Sequence, residues 1–189
     1  MSQYALMIAI VLVMAFTPLG YFRAAGLEIT LLMIPVTVGA ILLGPVGGAI
    51  LGLTFGLTSF AISGTSGLGV ALLSISPVKL FILCVGTRIA AGWLAGLLFK
   101  ALEKANFKGR YTVTCLVGPL LNTVFFMSLL VIFFYNTEFI QNIAQTIGAT
   151  NPIMFMALFA GIQGIGEAVV CCLVGGVISK NLYKVVNKK

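Results

Sequence analysis

Residues 29–59, ITLLMIPVTVGAILLGPVGGAILGLTFGLTS, restrict this chain more than any other stretch. No charge follows Glu28 until Lys79, and Gly44-Pro45-Val46-Gly47 interrupts the apolar run near its middle. An uncharged stretch of that length belongs in lipid rather than water. Gly44, Gly48, Gly52 and Gly56 recur every four residues, so on a helix they share one nearly smooth face. Faces of that kind let two backbones approach closely inside a bilayer. The expectation is a membrane helix hairpin turning at Gly44-Pro45, with arms 29–43 and 46–62.

Composition agrees with that solvent. Of 189 residues, 60% are hydrophobic and only 8% charged, more apolar surface than a water-soluble fold buries. The formal charge of +7 raises nucleic acid as a partner. The basic residues, however, gather at segment ends: Lys100, Lys104, Lys108 and Arg110, then Lys180, Lys184, Lys188 and Lys189. That grouping is a topology signal, not a nucleic-acid footprint. Histidine is absent, which removes the commonest metal ligand and general base. Cys84, Cys115, Cys171 and Cys172 all sit inside apolar runs, where small core residues are expected rather than disulfides or a zinc site. No metal or other cofactor is expected.

The chain reads as a single membrane domain of six helices, spanning approximately 4–22, 29–43, 46–62, 79–99, 112–135 and 155–179. The first run lacks a basic leader and reads as a retained helix. On it, Ala5 and Ala9 form a small-xxx-small pair, serving either ordinary packing or the docking of another membrane protein. Residues 23–28 read as a short polar loop. Gly44-Pro45-Val46-Gly47-Gly48 has no following Gly-Lys-Ser/Thr, which excludes a phosphate loop. Residues 63–77, SGTSGLGVALLSISP, read as a long glycine-bearing loop, either a lid or a permissive connector. Residues 136–151 read as a polar connection containing a short surface helix. Both basic clusters follow even-numbered spans, which places both termini and the 100–110 loop on the cytoplasmic side.

Three spans each carry one strongly polar residue at matching depth. Arg88 lies 12 residues before Lys100, Asn122 lies 12 after Arg110, and Glu167 lies 13 before Lys180. At ~1.5 Å per residue, each stands ~18 Å above the cytoplasmic end of its helix. Gln163 is one turn from Glu167 on the same face. A charge at mid-bilayer costs ~2.5–3.5 kcal/mol, so these groups face an interior and find partners there. Two arrangements satisfy that demand: a structural Arg88–Glu167 ion pair, or a polar solute site open to the outside, in which the arginine suits a carboxylate. Phe60 and Trp93 are candidates for its apolar wall.

The chain resembles the substrate-binding S components of energy-coupling-factor (ECF) vitamin transporters over nearly its whole length. Ala5-Leu6-Met7-Ile8-Ala9 is similar to the Ala-xxx-Ala element that those proteins present to their coupling subunit. Ile34-Pro35-Val36, Ile41-Leu42-Leu43-Gly44-Pro45, Gly56-Leu57-Thr58-Ser59, Arg88, Asn122-Thr123 and Glu167-Ala168 resemble the pantothenate-type members (PanT). Two positions depart from that pattern. Gln163-Gly164-Ile165-Gly166-Glu167 stands where the family has Asn-Gly-Ile-Pro-Glu, and Thr87 stands where it has a proline. The resemblance implies six helices and a vitamin site near the extracellular side, covered by loops. It also implies a partner transmembrane subunit (EcfT) and two cytoplasmic ATPases (EcfA and EcfA'), in a bacterial plasma membrane. Arg88, Asn122, Gln163, Glu167, Phe60 and Trp93 are then the substrate-binding candidates, and Ala5 and Ala9 the partner-binding ones. The chain itself is not expected to be an enzyme, having no ATPase motif and no nucleophile–base pair. Two alternatives stand beside pantothenate uptake. One is the same transporter class for lipoate, a pyrimidine or another B vitamin; the other is a structural membrane subunit of MreD type.

Overall fold

A computed structural model describes residues 2–17, 20–24 and 27–186, without the side chains of 21–29, 162, 163 and 186. Helix α1, Ser2–Phe16, buries Met7, Val11 and Ala15 at four-residue intervals and leaves Leu6, Val13 and Phe16 exposed. One stripe of the helix therefore faces protein and the rest faces outward. Large apolar side chains left open in this way fit lipid, not water.

The segment expected as a polar loop is instead a two-stranded antiparallel hairpin. Strand β1, Tyr21–Ala24, pairs with β2, Leu27–Thr30, in the register Tyr21↔Thr30 through Ala24↔Leu27. The pairing takes residues 21–22 from the end of the expected first span and residues 29–30 from the start of the second. Tyrosine, phenylalanine, isoleucine and threonine suit a strand, and the ladder satisfies backbone groups that a loop would leave to solvent.

Helix α2, Met33–Ile62, reverses direction at Gly44, whose φ of +79° and ψ of −172° break the helical run ahead of Pro45. A side chain is strained at that φ, and glycine is not. Past the turn the arms pack on each other: Leu51 fills the space beside Gly39, and a methyl built on Gly48 would lie 2.8 Å from the Ala40 Cβ. Residues 12 apart on a straight helix would be ~18 Å apart. The hairpin expected from the glycine spacing is therefore present.

A 3₁₀ turn over Ser63–Thr65 leads into α3, Gly67–Ile75. Ser76 then caps the next helix, its Oγ accepting the Lys79 N–H at 3.4 Å, with Pro77 at the first helical position. That helix runs as α4, Pro77–Phe81, through a π turn over Ile82–Gly86, into α5, Thr87–Lys104. The glycine row of α2 lies against it backbone to backbone. Gly48 meets the Gly92 carbonyl and Gly52 the Arg88 carbonyl, while a methyl on Gly56 would come within 2.7 Å of the Val85 Cα.

Helix α6 is Arg110–Phe134, and α7, Glu138–Thr146, is the expected surface helix, anchored by Ile140 and Ala144. The chain ends in α8, Pro152–Val170, a second π turn over Cys171–Gly175, and α9, Gly176–Val186. At the basic end, Arg110 lies against the rings of Tyr111, Tyr183 and Phe99, 5.1, 5.7 and 5.8 Å from their centroids. Glu103 accepts from the Tyr183 hydroxyl and sits 3.9 Å from the Arg110 guanidinium. Four helical stretches are long and apolar enough to cross a membrane: Met33–Thr65, which contains the reversal, Pro77–Lys104, Arg110–Phe134 and Gly164–Val185. Ser2–Phe16 and Pro152–Gly161 are shorter apolar helices.

Candidate functional site

The helices around α6 line a partly open cavity of about 390 Å³. Its walls follow from helical spacing. Leu80, Cys84 and Arg88 stand four residues apart on one face of the 77–104 helix, and all three line the cavity. Asn122, Thr123, Phe126 and Met127 line it from α6, and Phe159, Ala160, Gly164 and Glu167 from α8. Ser59 and Ile62 come from the second arm of α2, Ser63 from the 3₁₀ turn after it, and Thr30 from the end of β2.

Arg88, Asn122 and Glu167 thus converge on one space, only 9%, 8% and 7% exposed. They do not form the ion pair that their spacing allowed: among the described residues, Arg88 and Glu167 make no charge contact within 4.0 Å. Glu167 Oε1 instead accepts the Thr30 backbone N–H at 2.7 Å, tying the hairpin to α8. Arg88 turns back along its own helix. Its Nη1 donates to the Cys84 carbonyl at 3.0 Å and to Thr87 Oγ1 at 3.4 Å. Cys84 lies in the π turn, where the wider winding leaves carbonyls short of their ordinary partners. The guanidinium carbon is 4.7 Å from the Phe55 ring centroid and 5.4 Å from that of Phe126, a favourable place for a cation.

Two buried polar atoms have no partner among the described residues: Arg88 Nε, a donor, and Asn122 Oδ1, an acceptor. Each orphan costs ~1–3 kcal/mol unless something enters to satisfy it. Both residues line the cavity, and each keeps one polar atom unsatisfied beneath its surface.

The other sequence candidates lie differently. Phe60 does not line the cavity; it packs edge-on against Phe81 at 5.3 Å, because Ser59 and Ile62 take the inward face of that arm. Trp93 does not line it either and is 46% exposed. Five residues beyond Arg88 is about 140° around a helix, which carries Trp93 to the outer side. The Gln163 side chain lies outside the described residues. Ala5 and Ala9 are exposed on α1, away from the stripe that packs on α2.

The stretch read as a glycine-rich loop is ordered helix over the cavity. Ser63, Ser66, Gly67, Leu68, Gly69 and Leu72 all line it. Sequence reasoning did not single out Thr30, Ser59, Ser63, Ser66 or Thr123 as lining residues. Ser59 and Thr123 stood only within motifs of the family resemblance, and Thr30, Ser63 and Ser66 showed only a small hydroxyl on an otherwise apolar segment, a pattern that ordinary back-bonding to the helix also produces, as at Ser63 to the Phe60 carbonyl.

No curated protein matches the chain in sequence. The model of one family, described as ECF transporter, substrate-specific component, matches residues 1–179. The buried polar cavity in a bundle of apolar helices fits a subunit whose task is to hold a solute rather than to transform it. The chain belongs to the ECF transporter substrate-specific component family, and it is a multi-pass membrane protein that serves as the substrate-specific subunit of an importer.

Proposed function

We propose that the cargo is a small water-soluble vitamin carrying a carboxylate, and that it is pantothenate. The observation that carries this reading is the convergence of Arg88, Asn122 and Glu167 on one cavity, where among the described residues no carboxylate lies within 4.0 Å of the Arg88 guanidinium. A carboxylate answers the arginine, and a hydroxyl or amide N–H on the same molecule answers the asparagine. A volume of about 390 Å³ lies within the range of small-molecule sites and suits a ligand of this size. Glu167 holds Thr30 at the cavity wall, and Gln163 stays in the proposed ligand set as the sequence candidate four residues before it. The resemblance of Arg88, Asn122-Thr123 and Glu167-Ala168 to the pantothenate-type members supports the cargo from the sequence side.

In this reading the chain crosses a bacterial plasma membrane six times. The two arms of α2 count separately, and both termini are cytoplasmic, as the basic residues at 100–110 and 180–189 require. The cavity then opens outward beneath α3. Ala5 and Ala9 present a smooth, exposed patch of α1 to a transmembrane coupling subunit (EcfT). Two cytoplasmic ATPases (EcfA and EcfA') supply the energy.

Equilibrium titration of pantothenate into the purified protein tests this. Wild type is expected to bind saturably, and Arg88→Ala to lose a charge-assisted contact of ~1.5–3 kcal/mol, roughly 10- to 150-fold in Kd. Equal affinity in the two proteins would remove Arg88 from the site.

A further inference from the structure

The basic end of the bundle carries more positive charge than the chain itself answers. Lys100, Lys104, Lys108, Lys180 and Lys184 stand there, and Glu103 is the one acidic side chain in residues 100–110 and 176–186. Glu103 is already engaged by the Tyr183 hydroxyl and by Arg110 at 3.9 Å. Among the described residues, none of the five lysines has a carboxylate within 4.0 Å.

Their placement shows where a counter-charge belongs. On α5, Trp93, Leu97, Lys100 and Lys104 follow at spacings of four, three and four residues, so they form one stripe, and all four are exposed. Leu173, Val177, Lys180 and Lys184 repeat that pattern into α9, and all four are exposed as well. In each stripe, bulky apolar side chains open to lipid run directly into two cations. Lysines so placed sit where hydrocarbon gives way to headgroups.

The two helices meet through Tyr183, whose ring centroid lies 5.5 Å from that of Phe99. Beside the reversal of α2, an open groove of about 270 Å³ takes apolar lining from Leu42, Leu43 and Phe99 and polar lining from Lys100, Glu103 and Tyr183. Lys100 lies across Gly44, its Cε and Nζ 3.5 and 3.8 Å from the place where a Gly44 side chain would begin. Since Arg110 offsets Glu103, the charge left over in the groove is that of Lys100.

We propose that this groove and the α5 stripe bind an anionic phospholipid, with its phosphate at Lys100, Lys104 one turn further on, and an acyl chain along Leu97 and Trp93. The site is separate from the solute cavity and does not depend on the cargo. Each lysine near an anionic headgroup is worth about a fivefold preference over a zwitterionic one. An acidic face of a partner protein would also answer the charges, but it would not account for lysine pairs that end lipid-facing apolar stripes.

Trp93, the single tryptophan, reads this site directly. It lies seven residues from Lys100, ~10 Å of helical rise, within the ~15 Å of hydrocarbon in one leaflet. The protein is reconstituted into phosphatidylcholine vesicles containing increasing fractions of a lipid brominated in mid-chain, either phosphatidylglycerol or phosphatidylcholine. Brominated phosphatidylglycerol is expected to quench Trp93 at a roughly 5- to 25-fold lower fraction than brominated phosphatidylcholine. Lys100→Gln combined with Lys104→Gln is expected to abolish that preference, while wild-type quenching by brominated phosphatidylcholine shows that the variant is folded. Where it does not fold, Lys104→Gln alone carries the test, with the preference lowered roughly fivefold. Lys180→Gln combined with Lys184→Gln, on the other stripe, is expected to keep the preference. Equal quenching by the two lipids in wild type overturns the proposal and leaves the lysines to an acidic partner surface. A preference that survives loss of Lys100 and Lys104, or that vanishes equally in both double variants, overturns the α5 site in favour of diffuse attraction. Relief of the quenching by inorganic phosphate, at constant ionic strength, assigns the groove to the free anion and overturns the lipid.

Discussion

Gly52→Ala places the heaviest load on the geometry described above. A methyl at Gly52 would clash with the Arg88 carbonyl oxygen and lie 2.8 Å from the Arg88 carbonyl carbon and 3.1 Å from the Ile89 Cα, where ordinary contact begins near 3.4 Å. All of these atoms are backbone, so no side chain can swing aside. The 77–104 helix must retreat by about 1 Å at the residue whose guanidinium is held by Phe55, Phe126 and the Cys84 carbonyl. Overpacking of this kind costs ~1–3 kcal/mol. Taking ~2 kcal/mol, the expected fall in Tm is about 4–8 °C for a chain of this size. Trp93, the single tryptophan, reports the unfolding in detergent. Because the displaced atoms carry Arg88, the affinity for pantothenate falls as well, by about tenfold if ~1.4 kcal/mol appears in binding. Gly64→Ala is the control, since nothing lies within 4 Å of its added methyl. Wild-type Tm and affinity in Gly52→Ala would refute the backbone-to-backbone packing and its link to the site.

Asn122→Leu separates stability from binding in sign: removing an orphaned acceptor stabilises the ligand-free protein by ~1 kcal/mol, while Kd rises about tenfold, read by melting and titration on the same sample. Glu167→Ala frees the Thr30 N–H, so hydrogen exchange at that amide accelerates by at least tenfold, whereas Glu167→Gln keeps a carbonyl acceptor and stays near wild type. Ala5→Trp and Ala9→Trp, on the exposed face of α1, abolish co-purification with the coupling subunit while pantothenate titrates as in wild type; retained co-purification removes that face from the docking surface.

The parts of this fold that were legible in the sequence are those set by spacing alone. Four glycines at four-residue intervals announce a close helix contact wherever they are placed, and Gly44-Pro45 breaks a helix in any context. Counting residues from the basic clusters put Arg88, Asn122 and Glu167 at one depth, and the three do share a cavity. What spacing does not contain is rotation about the helix axis. Phe60 and Trp93 were chosen for their chemistry, and the turn of each helix sends them elsewhere. The same limit hid the partners of the two charges: depth allowed Arg88 to meet Glu167, but a π turn gave the arginine a carbonyl and a strand end gave the carboxylate an amide. Residues 63–77 read as loop because Gly64, Gly67 and Gly69 weigh against a helix. The burial of Leu72 and the Ser66 cap outweigh them in the folded chain. The hairpin of β1 and β2 was invisible for a related reason, since its strands are four residues each and adjoin helical segments richer in apolar signal.

Mass spectrometry of the small molecules released from detergent-purified protein, with Arg88→Ala prepared in parallel, reads cargo and site in one experiment. Pantothenate is expected at close to one molecule per chain from wild type and none from the variant. A protein that releases no small molecule, and that binds neither pantothenate nor any other of a panel of vitamins on addition, would contradict both assignments.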